Sequence, residues 1–183
     1  MVRMESVGVH PDVVQACNLF DCMGVEFSAA VPEATNAEYG ACAADVGCGT
    51  VRFRVGKVTP TKVGLFVAVW RRVGDGSTEP FAAEDGTDVL VVTVREGKRF
   101  GEFVFPTSAL AEHGIVSTAG RGGKRGFRVY PPWSVTAKGQ ASRSQTWQCE
   151  YFLDLHDAQP SDLARARRLY DLVWPIVPQR NSP

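Results

Sequence analysis

The sequence lacks any long apolar run. Its longest stretches, such as Val89-Leu90-Val91-Val92, are the size of a strand, which excludes a membrane-spanning helix. The opening Met1-Val2-Arg3-Met4-Glu5 has none of the apolar character of a secretory signal, so a cytoplasmic protein is expected. Cysteine is sparse and unpaired in pattern. Cys17, Cys22, Cys42, Cys48 and Cys149 form no C-x-x-C and are odd in number, so reduced, buried thiols are expected rather than disulfides or a metal site. His10, His113 and His156 have no partner at ligand spacing. There is no G-x-S-x-G, G-x-G-x-x-G or H-E-x-x-H, which removes the signatures of serine hydrolases, dinucleotide-binding folds and zinc proteases. No internal repeat is present.

Acidic residues are missing from two long stretches. Residues 46–74 contain Arg52, Arg54, Lys57, Lys62, Arg71 and Arg72 without a carboxylate, and residues 113–149 contain Arg121, Lys124, Arg125, Arg128, Lys138 and Arg143 likewise. Twelve of the twenty cationic side chains thus lie where none of the twenty acidic ones do, although the formal net charge is zero. Between them, residues 75–112 carry Asp75, Glu79, Glu84, Asp85, Asp88, Glu96, Glu102 and Glu112. If the two basic segments meet in the fold, the neutral total hides a basic surface. The competing reading is two solvated faces that bind nothing.

What is present is ordinary for a globular chain: 183 residues, 44% apolar and 22% charged, enough for one buried core and short for two domains. Pro11–Met23 reads as a helix with Val13, Val14, Cys17 and Phe20 on one stripe. Residues 24–49 are rich in glycine and alanine, with a short helix expected around Glu38–Ala44. Strands are expected over Thr50–Val58 and Gly64–Arg72 around the turn at Pro60, and over Thr87–Arg95 and Gly101–Phe105 around Glu96-Gly97-Lys98. A loop runs from Gly74 to near Gly86. Pro106 introduces a short helix to His113 with Gly114 as its cap, and residues 117–126 form a Gly-rich basic loop. Phe127–Tyr130 reads as a strand, Ala137–Ser144 as a helix and Thr146–Leu155 as a last strand. Ser161 is placed as the N-cap of a terminal helix that turns Leu163, Ala166, Leu169, Tyr170 and Val173 inward, and the tail from Pro178 is expected to fray. The fold expected is α/β (α+β): one domain over residues 1–183 with a mixed, largely antiparallel central sheet flanked by helices.

Several of these residues form a recognisable pattern. Lys57-Val58-Thr59-Pro60-Thr61-Lys62-Val63-Gly64-Leu65-Phe66-Val67 leads to Trp70-Arg71-Arg72, and Gly101-Glu102-Phe103-Val104-Phe105-Pro106 precedes Gly114-Ile115. The most specific block is Gly123-Lys124-Arg125-Gly126-Phe127-Arg128-Val129-Tyr130-Pro131-Pro132-Trp133, followed by Gln140-Ala141, Gln145 and Trp147-Gln148. Over roughly residues 35–155 the chain resembles the MepB family, which is named for its place beside a multidrug efflux pump. That name implies no mechanism. Leu65 and Glu102 stand where the resemblance leads one to expect glutamine, and Thr107 where it leads one to expect lysine.

The residues themselves point towards nucleic acid. If Val58 pairs with Gly64, Arg54 falls opposite Ala68 and Arg52 opposite Trp70, so Arg52, Arg54, Phe66 and Trp70 share one face of a hairpin. Guanidinium groups beside an indole on a pleated surface make a platform for bases and phosphates. In the competing reading the aromatics are core and the arginines snorkel past them. Thr59-Pro60-Thr61-Lys62, with Lys57, offers hydroxyl, N–H and ammonium donors in one turn, a cradle for a phosphate. The stretch from Gly120 to Trp133 interleaves Arg121, Lys124, Arg125 and Arg128 with Phe127, Tyr130 and Trp133, and its glycines let backbone approach a ligand. Gln145 and Gln148 either read base edges or satisfy buried backbone, and Cys149 beside Trp147 is expected to be inert.

A domain of this kind with acids on a hairpin is also similar to the PD-(D/E)xK nucleases, as a degenerate restriction-endonuclease-like core. Asp88 and Glu102 would be the metal-holding carboxylates there, with Mg2+ as cofactor and Lys62 or Lys124 as the nearby lysine. With Val94 opposite Gly101, however, the two carboxylates lie roughly 15–17 Å apart along the sheet. Glu102 is also followed by Phe103-Val104 rather than x-Lys. The expectation is therefore a monomeric, non-catalytic binder of nucleic acid, single-stranded for preference, or of nucleotides, without cofactor and without membrane contact. Its binding residues would be drawn from Arg52, Arg54, Lys57, Thr59, Lys62, Trp70, Lys124, Arg125, Arg128, Tyr130, Trp133, Gln145 and Gln148. A magnesium-dependent nuclease and a protein-interaction module are the alternatives.

Overall fold

The first helix, α1 (Pro11–Met23), is set by its ends. Pro11 occupies the first turn, the His10 imidazole accepts the Asp12 N–H at 3.1 Å, and Gly24 closes the helix at φ 68° with its N–H donating to Phe20 O and Asp21 O. Its inward face is Val13, Ala16, Cys17, Leu19, Phe20 and Met23. The computed structural model describes residues 8–157 and 160–173. After α1 come β1 (Val31–Pro32), a 3-10 turn (Ala37–Tyr39), β2 (Cys42–Val46), β3 (Gly49–Val55), β4 (Lys57–Thr59), β5 (Lys62–Ala68), β6 (Trp70–Arg72) and β7 (Thr78–Pro80). Then follow β8 (Val89–Glu96), β9 (Arg99–Pro106), α2 (Thr107–Glu112), β10 (Ser117–Thr118), β11 (Arg121–Gly122), β12 (Gly126–Val129), α3 (Gln140–Cys149), β13 (Phe152–Asp154) and α4 (Pro160–Asp171).

Six strands form the main sheet in the order β1-β2-β3-β8-β9-β13, with β3 and β8 parallel and every other pair antiparallel. Each of its faces buries one cluster. One face packs Phe53, Val91, Phe100, Val104 and Leu153 against α1 and against Ala166, Leu169 and Tyr170 of α4. The other packs Leu90, Val92, Val94, Phe103 and Phe105 against a small three-stranded sheet of order β12-β5-β4, whose inward residues are Leu65, Val67, Phe127 and Val129. The α/β architecture with a mixed central sheet is thus present, but with a second sheet where one face was expected to carry only helices.

The sequence-based hairpin of Thr50–Val58 with Gly64–Arg72 is split by Gly56. β3 stays in the main sheet beside β8, and the Gly56 N–H donates to Thr93 O as its last bond there. At Gly56 the chain then turns over the sheet, where an added Cβ would sit only 3.0 Å from the Leu65 Cβ. Only β4 pairs with β5, with Val58 opposite Leu65 rather than Gly64 and a bulge before Thr59. Parallel neighbours need a crossover, and here the excursion through β4–β7 supplies it in place of a helix. The β8–β9 hairpin, by contrast, has the expected register, Val94 opposite Gly101 and Glu102 opposite Thr93, around a two-residue Gly97-Lys98 turn.

Other expectations need correction. Cys42–Val46 is a strand, because β3 offers it a complete antiparallel ladder. The Gly74–Gly86 loop contains β7, and residues 117–126 contain the β10–β11 hairpin. Residues Thr146–Cys149 are helical, since α3 spans Gln140–Cys149, and only Phe152–Asp154 pairs with β9. The final helix begins at Pro160, one residue before Ser161, and the tail beyond Pro178 lies outside the described residues. Cys17 and Cys42 are buried and pushed up to about 12 mainly by that burial, whereas Cys22 and Cys48 are exposed. Among the described residues no helix is long and apolar enough to cross a membrane.

Candidate nucleic-acid interface

β5 and β6 run on as one extended ribbon with two distinct faces. Leu65, Val67 and Val69 are fully buried towards the main sheet, so alternation turns Phe66, Trp70 and Arg72 to the other side, where Ala68 is buried between them. Pairing fixes their neighbours. Phe66 lies opposite Lys57 of β4 on one side and Arg128 of β12 on the other, and Arg72 lies opposite Thr78 of β7. Val69 marks the junction along one edge, donating to Arg125 O and accepting from the Phe81 N–H. Phe66 and Trp70 therefore share a face as expected, but their charged neighbours are Lys57, Arg128 and Arg72 rather than Arg52 and Arg54.

Aromatic rings are laid across this face by two glycines. The Phe66 ring occupies the place a Gly126 Cβ would take. The Tyr130 ring lies likewise over Gly64, 2.6 Å from where a Cβ would stand, and Gly64 takes φ 79° at the bulge of β5. The 3-10 turn brings Tyr39 edge-on to Phe66 at 6.1 Å, and Lys57 Nζ stands 4.4 Å over the Tyr39 ring. Asn36, held at φ 60°, anchors that turn by donating from Nδ2 to Trp70 O at 2.8 Å. The Arg72 guanidinium lies 5.5 Å from the Trp70 ring centre.

The twelve cations of the acid-free segments separate into two groups. Arg52 and Arg54 pair with Glu33, Lys57 with Glu38 at 3.5 Å, and Arg71 with Glu79 and Asp85. Among the described residues, no carboxylate lies within ion-pair distance of Lys62, Arg72, Arg121, Lys124, Arg125, Arg128, Lys138 or Arg143. The arginines of the ribbon face are instead held by neutral oxygens. Arg128 donates to Thr59 Oγ1 at 2.6 Å and to Gly64 O at 3.0 Å. Arg125 donates to Thr78 O at 2.6 Å and Thr78 Oγ1 at 3.1 Å, and Arg72 donates to Gly76 O at 2.9 Å. Such bonds fix each guanidinium and leave its charge uncompensated, as an anion site requires. The two basic segments thus meet through β12 and β5, with Lys57, Lys62 and Arg72 from the first and Arg125 and Arg128 from the second.

The remaining expected residues lie elsewhere. Arg54 is fully buried between the sheets, and Arg52 donates to Thr87 Oγ1 and stacks 4.5 Å over Phe81. Arg52 borders a cavity of about 10 Å³ with Thr87, Thr107 and Leu110, space for about one water and none for a nucleotide. Thr59, expected in a phosphate cradle, spends its hydroxyl on Arg128. Trp133 donates to Glu96 at 2.6 Å and packs on Phe152 against the cluster between the sheets. Gln148 donates to Arg128 O and accepts the Tyr130 N–H, so its amide serves as one more strand at the open edge of β12. Gln145 donates to Pro131 O and Ser134 O. Both glutamines therefore satisfy backbone. In the Gly-rich loop, Ala119 and Gly120 form the left-handed turn of β10–β11, Glu84 accepts the Ala119 N–H at 3.0 Å, and Gly123 packs on Pro80. Lys124 is exposed next to this packed turn, its backbone N–H on Ile115 O. Sequence reasoning missed Tyr39, which only the tertiary fold brings near, and Arg72, which alternation from Trp70 places on its face.

The carboxylates of a nuclease are not assembled. Asp88 Oδ2 accepts the Thr50 N–H at the mouth of β8, on the side of Leu90, whereas Glu102 is fully buried on the side of Val104. They face opposite sides of the sheet because their positions relative to the ladder differ by an odd number. No group of three potential metal ligands occurs among the described residues.

Comparison with known proteins places this geometry in context. The MepB-like family model matches residues 33–154, which include the small sheet, every strand of the main sheet except the edge strand β1, and every residue of the ribbon face. A solved structure described as the crystal structure of MepB superposes with a TM-score of 0.71 at 31% sequence identity, covering 82% of this chain and 100% of its own. None of the curated proteins compared with the chain matches it.

Proposed function

The chain belongs to the MepB-like family, and on that footing we propose that it binds nucleic acid or nucleotides, without catalysis, on the outer face of β5–β6 and β12. One observation carries this reading. Lys62 and Arg128 at one end of this face and Arg72 and Arg125 at the other flank Tyr39, Phe66, Trp70 and Tyr130 with no carboxylate partner among the described residues, and Lys57 has only a long, exposed one. Phosphates attract such charges and release their counterions, while bases stack on the accessible part of these half-buried rings with about 1–3 kcal/mol each.

Three predictions test it. Arg128→Ala is expected to weaken binding of a single strand alike for all sequences, and to reduce the salt slope of log K by about 0.7, the loss of one phosphate contact. Trp70→Leu, checked as folded by its melting curve, is expected to lose roughly 1–3 kcal/mol of affinity with a smaller change in that slope. Titrations of labelled oligonucleotides between low and moderate salt read both. If folded variants at Arg128, Arg72 and Trp70 all bind as the parent does, this face is not the site. Incubated with magnesium or manganese, the protein is expected to leave labelled DNA and RNA intact. Cleavage abolished by Asp88→Ala would reverse the non-catalytic reading.

A further inference from the structure

The cations of the ribbon face stand in two groups at its two ends. Arg128 sits on Gly64 O beside the Lys62 turn, with Tyr130 lying over Gly64. Arg72 and Arg125 sit at the other end, joined through Thr78, which pairs with Arg72. Eight residue steps separate Gly64 from Arg72, up to about 26 Å of extended chain. Phe66, Lys57 and Trp70 fill the interval.

Taking the nucleic-acid reading as its basis, we propose that the ligand is a single-stranded polynucleotide laid lengthwise along β5 and β6. Both ends of the face would hold phosphate at once. The separation excludes a free nucleotide as the full ligand: its phosphates reach one cationic group and leave the other empty. Phosphates along one strand of a stacked helix repeat about every 3.4 Å, so the interval holds several of them even when the strand is compact. The rings exclude a duplex as the preferred partner. Phe66 and Tyr130 pack across Gly126 and Gly64 and stay half-buried, so a base reaches them by stacking on what each ring leaves open. A duplex buries its base faces in its own stack, whereas a single strand offers them.

A length series on the unmodified protein is the direct test. Fluorescence anisotropy would follow a labelled hexanucleotide in competition with the mononucleotide, a trinucleotide, the unlabelled hexamer and a blunt duplex of equal length. The hexamer is expected to bind at least about tenfold more tightly than the mononucleotide, the loss of even one stacked base being worth that much. The duplex is expected to bind at least about tenfold more weakly than the single strand. Arg72→Ala and Arg128→Ala should each weaken the hexamer, while the mononucleotide responds to only one of them. A mononucleotide that competes as well as the hexamer, or that is weakened equally by both changes, overturns the lengthwise strand and leaves nucleotide binding standing. A duplex that binds as tightly as the single strand overturns the base-face contacts. If no nucleic acid or nucleotide binds, the underlying reading falls with the proposal.

Discussion

Glu33→Ala is expected to destabilise the fold by about 3–5 kcal/mol, because it strands a buried charge. Arg54 has no exposed side-chain surface, and Glu33 meets its guanidinium with both carboxylate oxygens at 2.9 Å. The same guanidinium donates to Phe53 O at 2.7 Å and Ala68 O at 3.2 Å, tying the main sheet to β5 of the small one. Arg52 approaches Glu33 at 3.4 Å, so a second cation also loses its partner. Without Glu33, the Arg54 charge stays in a dry interior with only carbonyl dipoles around it. Equilibrium urea unfolding reads the effect, and a loss below about 1 kcal/mol would show that Arg54 without Glu33 finds water or another partner and is not stranded. Replacing both partners by apolar residues, Glu33→Leu with Arg54→Met, is expected to recover most of the loss, since a buried ion pair is weak as a net contributor. The consequence reaches the binding face, because Ala68 and Trp70 are held from the edge formed by Arg54 and Asn36.

The second large effect is a pH dependence from Glu102. Its carboxyl lies between Phe100 and Val104 on the face towards α1 and α4, fully buried, with neither oxygen hydrogen-bonded. Burial pushes it up to about 8 from an ordinary value of 4.5. The folded state therefore holds a proton that the unfolded chain releases above 4.5, and stability falls as pH rises through that window. Its favourable contribution is complete below pH 4.5 and lost by about pH 8, at up to about 1.4 kcal/mol per pH unit between. Cys17 and Cys42, pushed up to about 12, begin to act only above pH 9 and leave the window clear. Glu102→Gln, a near-isostere of the protonated acid and the residue that the MepB resemblance leads one to expect here, is expected to abolish this component. Melts of both proteins from pH 5 to pH 8.5 should diverge steadily. Superimposable stability profiles would mean that Glu102 reaches solvent or a partner.

Local chemistry was legible in the sequence where neighbours in the chain are neighbours in space. Pro11 and Gly24 bracket α1 because a proline and a left-handed glycine act on their own turn. The β8–β9 register followed from two apolar strands and a two-residue turn, which fixes pairing without reference to the rest of the protein. The Phe66–Trp70 face followed from alternation alone. Where partners are distant in sequence, local pattern decided nothing. Arg52 and Arg54 share β3 with an alternation that reads as half-exposed, yet β3 adds to β8 across the whole β4–β7 excursion, and the second sheet closes over them. Residues Thr146–Cys149 look like a strand but are helical, because Gln145 and Gln148 must reach from one side of a helix to the backbone around Pro131 and Tyr130. Charge followed the same division. The two acid-free segments are properties of the sequence, but which of their cations remain unneutralised depends on Glu33, Glu38, Glu79 and Asp85 folding back from outside those segments. Ion pairs act over a few ångströms whatever the separation along the chain, so only the tertiary structure distributes them.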